Sequence, residues 1–180
     1  MRRDGALPDV TDTHLTIRRA DRAAQKVAGD LLRRYFAEEG FALTAGLPGA
    51  GLAALLDDPR AAVLLAARAE APDEVAGIVT VTWTTSAAHG RLAEVGELYV
   101  LPAARRRGVA TALLEAAVVW AREHDCTVCR LAVGPDGELR HGVAGFFTAR
   151  RFGDDYRKLL VREVGAEDRS AGARGGEGAT

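Results

Sequence analysis

Glu97-Leu-Tyr-Val-Leu-Pro-Ala-Ala-Arg-Arg-Arg-Gly-Val-Ala-Thr111 is the stretch that decides the fold. Its pattern predicts a strand, a short basic loop and a helix that begins near Gly108. The helix is well marked, because apolar residues recur on one face at about 3.6 residues per turn: Val109, Ala112, Leu113, Ala116 and Trp120.

The loop of this unit is suited to an anion. The free N–H groups of the first helical turn, and the positive end of the helix dipole, point into it. Gly108 and Ala110 let a ligand approach the backbone, and Arg105, Arg106 and Arg107 add charged donors. Three arginines alone are typical of a solvated loop, so the prediction of a phosphate site depends on the strand and helix around them.

A second glycine-rich segment does not fit a phosphate site. Gly46-Leu-Pro-Gly-Ala-Gly51 has two glycines at P-loop spacing. Leu52 and Ala53 stand where that motif needs lysine and a hydroxyl residue, and no strand precedes the segment. We expect residues 46–51 to be an ordinary loop.

The rest of the chain alternates between strand and helix patterns. Residues 15–18 predict a strand, and Asp21 caps a helix that ends at Gly40, with Ala24, Val27, Ala28, Leu31 and Tyr35 on its apolar face. A short helix carrying Leu52, Leu55 and Leu56 follows, and then strands 62–68, 75–83 and 92–101, the first two joined by a polar connector with Pro72 and Asp73. Beyond the helix at Gly108 come a strand at 127–133, a turn at 134–137 with Asp136 as a cap, a helix with Val143, Phe146 and Phe147, and a last strand at 156–162.

This order, β-α-α-β-β-β-α-β-α-β, predicts an α/β fold with a mixed, mostly antiparallel sheet flanked by helices. We expect one domain at residues 14–162, between disordered tails at 1–13 and 163–180. A length of 180 residues suits one domain.

Composition excludes several classes of function. A net charge of −1 gives no reason to expect nucleic acid, and no apolar run approaches the ~20 residues of a membrane span. We therefore expect a cytoplasmic protein. Cys126 and Cys129 form a C-x-x-C pair. A structural zinc site needs four ligands, and the sequence has no second pair of this kind, with only the separate His124 and His141 nearby. We therefore expect buried, reduced cysteines and no metal.

Arg105-x-x-Gly108-x-Ala110, with Leu98-Tyr-Val100 and Pro102 before it, resembles the coenzyme A signature of the GNAT acetyltransferase superfamily. The resemblance extends over residues 15–162. It implies an N-acetyltransferase that uses acetyl-CoA, in a family that often forms homodimers. The residues that it assigns to the cofactor are Leu98, Tyr99 and Val100 for the pantetheine arm, and Arg105, Arg106, Arg107, Gly108, Val109, Ala110 and Thr111 for the pyrophosphate.

The resemblance also implies a proton donor that this chain lacks. Many relatives carry a tyrosine that protonates the leaving thiolate, and here Phe147 stands at that position. Arg140 and Arg151 replace an asparagine and a glycine of the same pattern. Phe147 can line the thioester but cannot donate a proton, so Tyr156 or water is left to do so.

Glu97 is our first choice as the base that accepts a proton from an amine, directly or through water. Strand alternation places it with Tyr99 on the face opposite Leu98 and Val100. Glu94, predicted on the other face of the strand, is the alternative base. Glu97 could instead be a solvent-facing carboxylate or an electrostatic anchor for a cationic substrate.

The acceptor is expected to be a small-molecule amine framed by Tyr35, Glu38, Glu39 and Trp83. Carboxylates suit a polyamine or an aminoglycoside-like antibiotic, which would give a role in antibiotic resistance. The alternatives are a protein N-terminus or lysine as acceptor, and, from another class, a non-catalytic CoA-binding regulatory module.

Overall fold

The structure, a computed structural model, describes residues 15–40, 48–134, 142–154 and 160. Within them, five strands form one sheet in sequence order: β1 Leu15–Arg19, β2 Ala61–Arg68, β3 Ala71–Ser86, β4 Gly90–Val100 and β5 Cys126–Leu131. Strands β1 to β4 pair antiparallel, whereas β5 pairs parallel with β4. A parallel pair needs a crossover, and a helix supplies it.

The described helices are α1 Gln25–Glu38, α2 Gly49–Asp57, the crossover helix α3 Val109–Glu123 and the short α4 Val143–Thr148. Single 3-10 turns lie at Arg22–Ala24 and Pro102–Ala104. The mixed α/β architecture is the predicted one, with the predicted element order as far as α4. The two tails, Asp136 and all of the predicted last strand except Leu160 lie outside the described residues.

The sheet separates two apolar layers. One face packs Val79, Val81, Val95 and Val100 against α3, with Phe146, Phe147 and Phe152 at its margin. The other face packs Val63, Ile78 and Tyr99 against Leu31 of α1 and Leu52 of α2. We call the second side of the sheet the α1 face. Burial of these side chains on both sides stabilises the sheet between the helices.

Two local predictions were wrong. The turn between β2 and β3 is at residues 69–70, so Pro72 and Asp73 lie inside β3. Proline is tolerated there because the register of β2 and β3 shifts between Ala67 and Arg68, which leaves Pro72 in an irregular part of the ladder. Gly49–Gly51, expected as loop, form the first turn of α2, because burying Leu52, which is 1% exposed, outweighs the poor helix propensity of glycine.

The start and end of α1 also differ slightly from expectation. The Asp21 carboxylate accepts a hydrogen bond from Ala24 N at 3.1 Å, but it caps the 3-10 turn that leads into α1. The α-helix ends at Glu38, and Gly40 takes the left-handed conformation that follows many helices, with a φ of +73°.

One irregularity positions the site. Val79 pairs with Leu98 and Val81 with Val95, so a single residue of β3, Thr80, lies opposite both Gly96 and Glu97. This is a β-bulge, and its extra residue reverses the alternation of faces along β4. Gly96 is needed at this place, because a Cβ there would lie 2.6 Å from Thr80 Oγ1.

Candidate active site

Strand β5 ends just before the level of the bulge in β4. Their pairing ends at Val95 and Leu131, so no described strand pairs with residues 97–100 on the β5 side. The Tyr99 carbonyl and the Leu101 N–H face β3, where the carbonyl lies near Gly77 and the N–H donates to the Ala76 carbonyl. Alternation along β4 therefore turns the backbone groups of Leu98 and Val100 toward the gap. We call this gap the fork.

Glu97 lies at the edge of the fork and is held by Thr80. The Thr80 hydroxyl accepts a hydrogen bond from Glu97 N at 3.0 Å and donates one to Glu97 Oε2. Thr80 is itself 3% exposed, so this contact is fixed by the core. The bulge thus presents a half-buried carboxylate in one orientation.

Glu94 does not lie where strand alternation placed it. Because the bulge reverses the alternation, Glu94 and Glu97 both lie on the α1 face, opposite Ala93, Val95 and Leu98. The exposed Glu94 carboxylate accepts a hydrogen bond from Arg130 Nε at 2.8 Å. Glu94 is therefore engaged in an ion pair with β5, which makes it a poor candidate for the base.

The α1 face also brings together three of the four predicted acceptor residues. Tyr35, Glu38 and Glu39 lie at the end of α1, and the Tyr35 ring is 6.3 Å from that of Tyr99. Burial, with the charges of Glu39 and Glu97 nearby, raises the pKa of Tyr35 to about 12. Tyr35 is therefore a neutral hydroxyl at physiological pH, next to a group of carboxylates.

Trp83 is not part of this group. It packs on the opposite face of the sheet, against the α3 layer, with the guanidinium of Arg91 4.7 Å from its ring centre. Strand alternation puts Val79, Val81 and Trp83 on one side and Thr80 on the other. The structure thus separates Trp83 from Tyr35, Glu38 and Glu39.

The predicted anion loop, residues 105–108, connects the fork to α3. Gly108 is the N-cap of α3, with a left-handed φ of +81°, and Val109 begins the helix. Arg106 also has a positive φ, +62°, which is uncommon for a residue with a side chain and typical of functional loops. The first turn of α3 contains no acidic residue, so nothing in it offsets the positive helix end.

The three loop arginines have different environments. Arg105 donates to the Val100 carbonyl at 2.9 Å and to Glu38 Oε2 at 2.5 Å, so its side chain is bound within the protein. Arg106 and Arg107 are exposed and make no hydrogen bond or ion pair with any described residue. Their guanidiniums can bind an incoming anion without losing an internal partner.

A fourth arginine, in the turn that follows α4, reaches the same helix end. Arg150 donates to Thr111 Oγ1, in the first turn of α3, at 2.5 Å and to the Phe146 carbonyl at 2.7 Å. Its guanidinium lies 3.7 Å from the centre of the Phe146 ring. Phe147 packs edge-on against Phe146 and Phe152, at 5.2 and 6.1 Å between ring centres. Arg150 thus joins α4 to the predicted phosphate site.

The cysteines take no part in this site. Both are free and half-buried, which is less buried than expected. Burial raises the pKa of Cys126, and it raises that of Cys129 to about 11, so both are mainly thiols at neutral pH. In the described ranges, no group of His, Cys, Asp or Glu is arranged to hold a metal ion. None of the helices there is both long and apolar enough to cross a bilayer.

A match to a known sequence family agrees with this geometry. The model of the Acetyltransferase (GNAT) family matches residues 29–147, which include the fork, the anion loop and Phe147. The chain belongs to the GNAT acetyltransferase family. It is therefore an acyltransferase by family, and enzymes of this family use acetyl-CoA. No curated protein matches this GNAT sequence.

Solved structures share the GNAT fold at low sequence identity. Aminoglycoside N-acetyltransferase AAC(6')-Iy in complex with CoA is 18% identical, with a TM-score of 0.70 over 83% of this chain and 95% of that one. An aminoglycoside acetyltransferase from an uncultured soil metagenomic sample, in complex with trehalose, is 16% identical, with a TM-score of 0.69 over 85% and 97%. A transcriptional regulator from Bacillus halodurans C-125 is 20% identical, with a TM-score of 0.67 over 83% and 100%.

Three residues at the site of this GNAT protein, Thr80, Gly96 and Arg150, were not predicted from the sequence. Thr80 interrupts the apolar run of β3, and a buried hydroxyl in such a run is a signal for a specific hydrogen bond. Gly96, in the middle of β4, was a matching signal for a bulge. Arg150 gave no signal, because its contact with Thr111 spans 39 residues of sequence.

Proposed function

We propose that this protein transfers the acetyl group of acetyl-CoA to a primary amine of a cationic small molecule, with Glu97 as the base. The observation that carries the proposal is the position of Glu97, which Thr80 orients at the edge of the fork. Acetyl-CoA supplies the thioester, and the residues of this chain bind it, orient it and accept the proton.

The residues of the fork fit the cofactor. The backbone groups of Leu98 and Val100 face the gap, where the pantetheine arm would pair with them as an added strand. The pyrophosphate would lie on the anion loop and the start of α3, from Arg106 to Thr111. Phe147, packed beside this region on the α3 side, would line the thioester.

Glu97 would make the amine a nucleophile. An alkylammonium with a pKa near ~10.4 is mostly protonated at neutral pH, so a proton has to be removed before its nitrogen can attack. The Glu97 carboxylate would accept that proton, directly or through water. The nitrogen then bonds to the acetyl carbon while the carbon–sulfur bond breaks, with no covalent bond to the enzyme.

The leaving group needs little help from the protein. An alkyl thiol has a pKa near ~8.5, so CoA leaves as a fairly stable thiolate that water can protonate. Phe147 has no proton to donate, and Tyr156 lies outside the described residues. Loss of the family's tyrosine therefore lowers the rate without preventing transfer.

The α1 face suits a cationic acceptor. Tyr35, Glu39 and Glu97 lie near one another there, and the carboxylates would attract an amine with several positive charges. Aminoglycoside acetyltransferases with the same fold support this class of acceptor. Trp83 is left out of the proposal, because it lies on the other face of the sheet.

A thiol-release assay with acetyl-CoA and a panel of amines tests the proposal. The panel contains aminoglycosides, polyamines and peptides with a free N-terminus or lysine. We expect release of CoA with an aminoglycoside or a polyamine. Release with the peptides alone would instead support a protein acetyltransferase.

Glu97→Gln tests the base. We expect kcat near neutral pH to fall about 10² to 10⁴-fold and to rise with pH as free amine accumulates. Glu94→Gln, on the same face of β4, is the matched control and should keep the wild-type pH profile. Equal kcat for Glu97→Gln and wild type across pH would remove Glu97 as the base.

Phe147 favours one other function, a CoA-binding regulatory module without catalysis. Acetyl-CoA binding with no turnover of any amine would support it. Phe147→Tyr restores the missing proton donor. A strong rise in turnover would show that the protein is an enzyme whose rate is limited by the absence of this donor.

A further inference from the structure

Glu38 connects three elements through one carboxylate. Tyr99 OH, from β4, donates to Glu38 Oε1 at 2.6 Å. Arg105 Nη2, from the anion loop, donates to Glu38 Oε2 at 2.5 Å. Glu38 itself is in the last turn of α1. Its two oxygens thus join α1 to the strand and to the loop on which the proposed cofactor site is built.

Arg105 has a fixed place in this arrangement. Its Nε donates to the Val100 carbonyl at 2.9 Å, and its guanidinium lies 5.6 Å from the centre of the Tyr99 ring. The backbone turns into the left-handed region at the next residue, Arg106. Fixing Arg105 against Val100, Tyr99 and Glu38 therefore fixes the point from which the anion loop begins to turn.

The charges indicate a positioning role for Glu38. A carboxylate near a phosphate site opposes binding of the phosphate, unless a cation neutralises the carboxylate. Arg105 forms that ion pair with Glu38, and about 35% of the Arg105 side chain is exposed. Glu39, one residue later, makes no side-chain hydrogen bond with a described residue, so its charge is open to a cationic acceptor.

We infer that Glu38 is a positioning residue for acetyl-CoA and not a contact of the acceptor. Through Arg105 it holds the anion loop in the shape that receives the pyrophosphate, and through Tyr99 it holds the end of β4. Arg105 fixes the start of the anion loop, and Arg106 and Arg107 supply the guanidiniums that bind the pyrophosphate. The inference rests on the proposed function, and it gives Glu38 a different role from the acceptor contact that the sequence predicts.

Glu38→Gln tests the inference, with Glu39→Gln as the matched control. We expect Glu38→Gln to weaken acetyl-CoA binding about tenfold or more, because a charged hydrogen bond to Arg105 is lost. The KM of the acceptor and the kcat at saturating acetyl-CoA should stay within about twofold of wild type. Glu39→Gln should leave acetyl-CoA binding unchanged, as measured by titration calorimetry.

A short substrate separates loop positioning from general damage. S-acetyl-N-acetylcysteamine carries the thioester without any phosphate, so its turnover should be the same in Glu38→Gln and wild type. Glu38→Gln/Arg105→Gln should bind acetyl-CoA as weakly as either single variant, since both remove the same contact. Tyr99→Phe keeps the ion pair and should have a smaller effect, and it serves with Arg105→Gln if Glu38→Gln does not fold.

Two results would overturn the inference. One is a raised acceptor KM in Glu38→Gln with unchanged acetyl-CoA affinity, which would make Glu38 an acceptor contact. The other is full additivity of Glu38→Gln and Arg105→Gln. Failure of the proposed function would look different, because the wild-type protein would then release no CoA with any amine of the panel, even if it binds acetyl-CoA in the calorimeter.

Discussion

Thr80 holds the bulge of β4 with a single buried hydroxyl. The hydroxyl has one proton to donate and lone pairs to accept, and it uses both toward Glu97. The backbone bond keeps the extra residue of the bulge in place, and the side-chain bond keeps the carboxylate oriented. The bulge in β4 and the orientation of the Glu97 carboxylate therefore depend on the same atom, Thr80 Oγ1.

We predict that Thr80→Val lowers kcat about 10 to 100-fold, because a hydrogen bond to a charged group is lost and the carboxylate is no longer held. The KM of acetyl-CoA should change little. Thr80→Ser keeps the hydroxyl and should recover most of the rate. Steady-state kinetics of the two variants checks this, and an equal loss in both would mean that packing of the methyl group matters more than the hydroxyl.

The elements were predictable because each carries its own pattern. Alternation, helical spacing and turn residues are local, so the order of strands and helices and the backbone cradle around Gly108 could be read from neighbouring residues. The Glu38–Arg105 contact spans 67 residues, and no local pattern encodes it. Counting alternate residues along β4 also failed at the bulge, where one extra residue moved Glu94 to the face of Glu97.

The start of α3 depends on Gly108. Its φ of +81° costs a residue with a side chain about 1–2 kcal/mol, since Cβ then crowds the backbone. We predict that Gly108→Ala lowers the free energy of unfolding by about that amount and also weakens acetyl-CoA binding, because the N–H groups of the first turn lose their alignment.

Gly145→Ala is the control for this change. Gly145 lies within α4, and a Cβ there would meet no atom within 4 Å. Alanine should therefore leave the protein equally stable or stabilise it by up to about 1 kcal/mol. Chemical denaturation and calorimetry measure both properties. Unchanged acetyl-CoA affinity in Gly108→Ala would contradict a role for this helix start.

At the scale of the whole molecule, charge is balanced overall but not locally. The net charge is −1, yet Arg106, Arg107 and Arg150 lie around the positive end of α3, whose first turn has no acid. Like charges at a helix N-terminus are unfavourable. A bound polyanion removes this repulsion, so the cofactor should stabilise the fold as well as take part in the reaction.

We predict that acetyl-CoA at about 100 times its Kd stabilises the protein by about 2.7 kcal/mol. For a chain of this size, that corresponds to a rise in Tm of about 5–11 °C. S-acetyl-N-acetylcysteamine, which has no phosphate, should give little or no rise at the same concentration. Differential scanning calorimetry checks this, and no rise with acetyl-CoA would rule out binding to the native state.

The fork has a further consequence, for self-association. A strand whose backbone groups are unpaired can capture a strand of another molecule, and β4 has such an edge toward the fork among the described residues. Arg105 Nε already covers the Val100 carbonyl, which blunts part of that edge. The pantetheine arm would cover the rest, so the empty protein should aggregate on storage more readily than the protein kept with CoA.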